Sequence, residues 1–399
     1  MKKTLLILLI LIISVSFAAC AQSQGESQSQ FKAKVISATD ESYQDEETGN
    51  YYSDQQLTIE LLEGPFAGQQ AQASVFIDAA NYTDIILYRV DDTVITSVFL
   101  TDSGTIDHVS VVSLYRVPYI IILAAIFLVL IGIIGRKKGL KTILALVFTV
   151  SAVVFALVPL IANGYDPILS AALVCIAVSV VTLFTVGGFN KKALSAVLGT
   201  IGGLICAATI TLIFSGLMRI TGIDTGTVGL LMVADTDVSL DYQGILTAGI
   251  LIGCIGAVMD VGMSISSAIN ELVVIDKTLS RKQLFRSGLS VGKDIIGTMA
   301  NTLILAYTGG SLMLMIVWSV YDISFADMLN KGFIVIEVAK SLCGSIGMVM
   351  SIPLTAFIAS HLVRHDFHLH HHKTDQTDET ATDSPEIEPE SVQSEPKPD

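Results

Sequence analysis

The sequence predicts an α-helical polytopic membrane protein with a small N-terminal extracytoplasmic β domain. Three observations lead to this fold class. First, 52% of the 399 residues are hydrophobic and 15% are charged, with a mean hydropathy of +0.66, which soluble domains of this length rarely approach. Second, the chain repeats apolar runs of about 20 residues, the length that a helix needs to cross the hydrocarbon of a bilayer. Third, residues 31–115 contain no such run and instead alternate short β-rich pieces with turn residues.

Residues 1–20 are predicted to be a signal peptide or a signal anchor. Two lysines precede a short apolar core that ends in small residues, which is the organisation of a secretory signal. Ala19-Cys20-Ala21 is a cleavage site of the A-x-A kind, and the residues that end at Cys20 resemble a lipobox with Phe17 in place of leucine. The sequence therefore leaves three possibilities open: cleavage, lipidation of Cys20 or an uncleaved anchor. In each case we expect the segment that follows to be exported.

Residues 31–115 are predicted to form the extracytoplasmic β domain. Gly64-Pro65 and Gly68 supply turn residues between strand-like pieces. These pieces read KAKVISAT, QLTIELL, AQASVFID, DIILYRV, DTVITSVFL and HVSVVSLY. Short strands of this kind favour a barrel-like sheet, and no catalytic constellation appears among them. A protein of the cell envelope is the partner that we expect for such a domain.

Seven apolar runs follow and predict a transmembrane helix bundle over residues 117–362. They lie at 117–135, 141–162, 167–188, 193–217, 244–272, 294–318 and 333–360. Lysine and arginine cluster after the first, third and fifth runs, whereas aspartates dominate the opposite loops. By the positive-inside rule, we expect a protein of the bacterial plasma membrane with the β domain outside and the C-terminus in the cytoplasm.

Residues 363–399 are predicted to be a disordered cytoplasmic tail, His-rich and then acidic. Much of the net charge of −14 comes from this tail, so the charge predicts little about the membrane body, and nucleic acid is not an expected partner. Clustered imidazoles bind zinc, nickel or copper, but a disordered tail lacks fixed geometry. The weak metal candidates are His368, His370, His371 and His372, and the sequence predicts no cofactor.

The segment GAVMDVGMSISSAINEL at 256–272 carries polar residues inside an apolar span. They follow the i, i+4, i+7, i+11 spacing of one helix face, and the next span has a similar series that begins at Asp294. Ionisable groups at membrane depth are costly and usually mark ion or proton routes inside a bundle. We therefore expect Asp260 to be buried opposite Thr298 and Asn301. The ion- or proton-relay candidates are Asp260, Ser264, Ser267, Glu271, Asp294, Thr298, Asn301 and Thr302.

Two other interpretations compete with an ion route. The polar residues can act as glue that hydrogen-bonds neighbouring helices. Alternatively, the bundle only anchors a membrane assembly or sensor protein whose β domain binds an envelope partner. An enzyme is not predicted, because the sequence has no nucleotide-binding loop, Ser-His-Asp order or HExxH motif. An aspartyl pair of Asp260 and Asp294 is disfavoured, since the two positions are expected at different depths.

Three motifs resemble the YibE/F-like family of bacterial multi-pass membrane proteins. They are GAVMDVGMSISSAINEL, GKDIIGTMANTLILAYTGGSL and GSIGMVMSIPLTAFIA. The resemblance covers the chain to about residue 362 and implies a multi-pass membrane protein, while it leaves the activity open. A more distant likeness is to RND-type permeases and the SecD/SecF translocation factors. It rests on three stretches that come in the same order: Asp260 through Glu271, the basic loop SRKQLFRSG at 280–288, and Thr298 through Thr302. That likeness implies a proton relay, although Met299 and Ala300 stand where those relatives carry an aspartate.

The sequence thus predicts a transporter, a permease or an export accessory protein, coupled to protons or ions. Its partners are the lipid bilayer and an ion or substrate that the sequence does not name, and the oligomeric state stays open.

Overall fold

The computed structural model describes residues 30–44, 51–78, 87–101, 104–223, 240–321 and 324–374. The chain divides into two compact units, Phe17–Leu140 and Lys141–Asp399, the latter together with Met1–Ser16. The predicted signal segment, residues 1–20, lies outside the described residues.

The N-terminal unit contains a five-stranded antiparallel sheet in the order β3-β2-β1-β4-β5. The strands are β1 Gln30–Gln44, β2 Tyr51–Leu61, β3 Gln70–Asp78, β4 Thr93–Leu100 and β5 Ile106–Leu114. Alternate residues of β2, from Leu57 through Ile59 to Leu61, are buried, as a strand with one face on a core requires. The two edge strands β3 and β5 contact each other, so the sheet curves into the predicted barrel-like form.

Gly64 and Gly68 shape the turn between β2 and β3, as predicted. Their φ angles are +85° and +83°, a left-handed conformation that glycine adopts without steric cost. The Gly68 amide then donates to the Leu61 carbonyl at 2.7 Å and closes the turn.

The predicted piece DIILYRV does not form a sixth strand over its described residues, 87–90. The backbone of Tyr88 pairs instead with a side chain. The Gln55 amide donates to the Tyr88 carbonyl at 2.8 Å, and the Tyr88 N–H donates to Gln55 Oε1 at 2.9 Å. Because one buried glutamine satisfies both backbone groups, this segment needs no neighbouring strand.

We expect residues 30–115, expressed alone, to melt cooperatively, and Gln55→Ala to lower the free energy of unfolding by about 1–3 kcal/mol. The substitution leaves a buried backbone donor and acceptor without partners. Thermal and urea unfolding followed by circular dichroism measures the change. Gln72→Ala, the same substitution at an exposed position on β3, is the control and should change stability little. Equal effects of the two substitutions would contradict the structural role of Gln55.

The rest of the described chain is helical. The helices are α1 Val117–Ala152, α2 Val158–Ala162, α3 Pro167–Gly187, α4 Lys191–Leu217, α5 Tyr242–Ile275, α6 Arg281–Gly310, α7 Leu312–Val320, α8 Phe325–Leu329 and α9 Gly332–Thr374, with a π-helical turn, Val153–Leu157, between α1 and α2. Side-chain caps mark several starts: Asp166 accepts from the Leu169 N–H, and Asn190 accepts from the Ala193 N–H, each at 2.8 Å.

Five described helical segments are long and apolar enough to cross a membrane, which confirms the helical membrane class. They are Val117–Ala162, Pro167–Gly187, Lys191–Leu217, Tyr242–Ile275 and Gly332–Val363. The first includes two of the predicted spans, joined at Arg136, where the backbone leaves the helical region with φ 47° and ψ −127°. The predicted number of seven crossings stays a prediction.

The predicted span 294–318 is divided between α6 and α7. Helix α6 begins at Arg281, so the predicted basic loop largely forms its first turns. A capping box explains this start, since Gln283 N donates to Ser280 Oγ at 3.3 Å and Ser280 N donates to Gln283 Oε1 at 2.8 Å.

At the other end of the chain, α9 continues to Thr374, whereas the sequence predicts disorder from residue 363. No glycine or proline interrupts residues 363–374, so nothing local ends the helix there.

Helices α4, α5 and α9 pack closely through small residues. A Cβ at Gly203 of α4 would lie 2.7 Å from Ser351 Cβ of α9 and 2.9 Å from Val258 Cγ1 of α5. A Cβ at Gly262 of α5 would lie 3.2 Å from the Ala196 carbonyl oxygen. Such contacts bring helix backbones together, as in other membrane bundles.

We expect Gly203→Leu to destabilise the bundle by about 1–3 kcal/mol or more, because a side chain there has to displace two neighbouring helices. Gly216→Leu on the same helix is the control, since no atom lies within 4 Å of a Cβ at that position. Thermal unfolding of the purified protein in detergent, followed by loss of the monodisperse species, compares the two. Similar melting temperatures would show that the close contact at Gly203 does not limit stability.

Candidate functional site

Helix α5 has one apolar face that is buried and one polar face that is exposed. Its buried residues include Val258, Ile265 and Ile269, which belong to the core that α5 shares with α3, α4 and α9. Asp241 caps the helix by accepting from the Gly244 N–H at 3.0 Å. Among the predicted relay residues of this helix, Asp260, Ser264 and Glu271 are exposed and Ser267 is partly buried.

The predicted relay residues of α6 are also exposed. They are Asp294, Thr298, Asn301 and Thr302. The two threonine hydroxyls bond within their own helix, from Thr298 Oγ1 to the Ile295 carbonyl at 3.0 Å and from Thr302 Oγ1 to the Thr298 carbonyl at 2.8 Å. Asn301 and Asp294 have no such local bond within the described residues.

The expectation that Asp260 is buried opposite Thr298 and Asn301 is therefore wrong for the single chain. Helical periodicity identifies the residues that share a face, but not which face turns inward. The larger apolar residues of α5 occupy the inward face, so the polar series points out of the bundle. Over the described residues, no hydrogen bond or ion pair joins the two polar series.

The two polar series nevertheless lie at matching levels along the antiparallel pair α5 and α6. A Cβ at Gly253 would overlap the Tyr307 hydroxyl, and a Cβ at Gly288 would lie 2.7 Å from Ile269 Cδ1. Both helices rise equally per residue, so positions between these two contacts, and those one or two residues beyond them, correspond. Asp260 falls level with Thr298, Ser264 with Asp294, and Glu271 with Arg286.

A second polar feature lies between α6 and α9. Lys340 Nζ and Glu337 Oε1, three residues apart on α9, form an ion pair at 2.7 Å. A cavity of about 190 Å³ beside this pair is lined by Tyr307, Ser341 and mostly apolar residues. The Tyr307 hydroxyl is buried and has no hydrogen-bond partner among the residues that the structure describes. Sequence reasoning missed Tyr307, because a single tyrosine in an apolar segment has no distinctive spacing.

Asp276 lies directly after the end of α5, and its carboxylate accepts hydrogen bonds from a neighbouring residue. The Thr278 hydroxyl donates to Asp276 Oδ1 at 2.7 Å, and the Thr278 N–H donates to the same oxygen at 2.8 Å. These hydrogen bonds lower the pKa of Asp276 below its ordinary value. Asp276 therefore stays ionised at neutral pH, and it serves below as a reference for Asp260.

No three His, Cys, Asp or Glu side chains among the described residues come together as metal ligands would. The side chains of the weak metal candidates lie outside the described residues, so that interpretation stays untested. They are His368, His370, His371 and His372.

Comparison with known proteins matches the chain to a family. The family model described as YibE/F-like protein matches residues 123–365, which include every predicted relay residue. No curated protein and no solved structure matches the chain. The likeness to RND-type permeases and SecD/SecF stays a hypothesis.

Proposed function

We propose that this chain, which belongs to the YibE/F-like family, is a multi-pass membrane protein that couples movement of protons or ions to transport or export of a substrate. The membrane character rests on the long apolar helices and on the family. The coupling is the further step, and the position of Asp260 supports it.

Asp260 is an ionisable residue near the middle of a membrane-length helix. It lies eighteen residues after the start of α5 at Tyr242 and fifteen residues before its end at Ile275. At about 1.5 Å per residue, both ends of the helix are more than 20 Å away. A carboxylate at such depth is expensive to maintain and is typically functional. This position is the observation that carries the proposal.

The geometry disfavours the glue interpretation within one chain. Glue requires hydrogen bonds between helices, and the polar residues of α5 and α6 form none with each other among the described residues. The levels of Asp260 and Thr298 still match, so a carboxylate and a hydroxyl lie at one depth on the two helices. A series of such groups can hold water or pass a proton along the helices. A bundle that only anchors the β domain gives Asp260 no comparable use.

We expect Asp260→Asn to abolish proton flux while the protein still folds, because the amide keeps the size and hydrogen-bonding capacity of the carboxyl but does not titrate. The measurement uses proteoliposomes with an enclosed pH-sensitive dye and an imposed membrane potential. Asp276→Asn is the matched control, the same substitution just beyond the end of α5, and should retain flux. If Asp260→Asn conducts protons like the parent protein at equal folded yield, Asp260 is not a relay.

The orientation is also a proposal, and it rests on Lys277, which follows α5, and on the basic residues in the first turns of α6. Tyr165, between α2 and α3, and Lys282, in the first turn of α6, are both exposed and lie at ends predicted to be on opposite sides. We expect an impermeant maleimide added to intact cells to label Tyr165→Cys and to label Lys282→Cys only after the cells are opened. The parent chain gives the background from its own cysteines. External labelling of Lys282→Cys would reverse the orientation.

A further inference from the structure

The polar series belongs to a longer surface that the described residues leave open. We call it the open face and define it by Gly249, Gly256, Asp260 and Ser264 of α5 with Gly297 and Asn301 of α6. No atom lies within 4 Å of a Cβ at any of these three glycines. The three polar residues are exposed and have no hydrogen bond within the described residues. The open face is therefore both polar and free of bulky side chains.

Lipid tails cannot cover such a surface well. They offer no donor or acceptor to the Asp260 carboxyl or the Asn301 amide, and an unsatisfied polar group in hydrocarbon is costly. Stripes of small residues, by contrast, let another helix approach closely enough to bond. The open face thus needs a protein partner with polar groups at the same depth.

The first apolar run of the predicted bundle does not have the required chemistry. Residues 120–134 read IIILAAIFLVLIGII and contain no polar side chain. They offer nothing to which Asp260 or Asn301 could bond. A second copy of the chain, in contrast, carries both groups at the correct depth.

From this geometry we infer that the open face is the interface of a two-fold homodimer. A two-fold axis along the membrane normal places α5 of one copy against α6 of the other with all levels preserved. The carboxyl of Asp260, level with Thr298, then lies within one helical turn of the Asn301 amide in the partner copy, twice by symmetry. The inference holds whether or not the open face carries protons, so it stands apart from the proposed function.

Charge complementarity supports the same arrangement. Glu271 and Arg286 are exposed at matching levels, on the same sides of α5 and α6 as the open face, and the described chain contains no ion pair between them. Arg286 precedes Asn301 by fifteen residues, close to four helical turns, which keeps the two on one side of α6. The two-fold arrangement brings Glu271 of each copy to Arg286 of the other, so that two pairs of opposite charge lie at one membrane level, one on each side of the axis.

Charge reversal tests the interface in the full chain, purified in nanodiscs and weighed by native mass spectrometry. The parent chain is expected at twice its mass of 42.6 kDa. Glu271→Arg alone and Arg286→Glu alone are each expected to give monomers, because each homodimer then has two repulsive pairs. When the two variants are co-expressed with different tags, they are expected to co-purify as a heterodimer whose pairs are both attractive. Arg281→Glu, on another side of α6, is the control and should stay dimeric.

Other outcomes of these measurements would contradict the inference. A monomeric parent chain, or a stoichiometric foreign membrane protein in place of the second copy, would reject it. Failure of the two single variants to rescue each other would reject the charge pairing, since an ion pair within one chain is not restored by mixing.

Disulfide formation in native membranes provides a second measurement that does not depend on purification. Ser264→Cys in one chain and Asp294→Cys in a differently tagged chain are expected to form a mixed disulfide under mild oxidation, because the two positions lie at one level. Leu212→Cys, exposed on α4, replaces Ser264→Cys in the control and should not form it. Equal cross-linking from Leu212→Cys, or none from Ser264→Cys, would contradict the interface.

Discussion

The close packing of α5 against α4 and α9 determines how the rest of the bundle is arranged. Gly203 and Gly262 bring the helices together, and a Cβ at Gly347 of α9 would lie 3.0 Å from the Gly203 carbonyl oxygen. This seam uses the apolar face of α5, including Val258 and Ile265, which are fully buried. Because that apolar face is buried against α4 and α9, the polar residues on the opposite side of α5 point outward.

Several polar groups lie in the seam itself, and most of them bond locally. The Thr200 hydroxyl donates to the Ala196 carbonyl at 2.8 Å, and the Ser351 hydroxyl donates to the Met348 carbonyl at 2.6 Å. Bonds within a helix satisfy a hydroxyl without linking helices, so these residues act as small packing groups. The carboxyl of Asp260 and the amide of Asn301 form no such bond within their helices among the described residues. This difference separates the polar residues that pack from those that we propose to function.

The β domain depends on a different constraint, the satisfaction of backbone groups at the edge of a small sheet. Gln55 is almost fully buried, yet it is bonded through both ends of its amide to Tyr88. It therefore replaces the backbone partner that a sixth strand would have provided. Lys32, in β1, forms a 2.7 Å ion pair with Glu63, and the hydrogen bond to that carboxylate raises the pKa of the lysine. The polar residues of this unit thus bond within the unit.

The sequence alone determined the helical membrane class, the separate β domain and the residues that share each helix face, because these follow from run length and from local periods of two and 3.6 residues. Only the tertiary structure decided that α5 turns Asp260 outward, that Gln55 replaces a strand and that Tyr307 lies beside Gly253. Each of these depends on contacts between residues far apart in the chain. Helical periodicity predicts which residues share a face. Which of two opposite faces is buried depends on the neighbouring helices that pack against it.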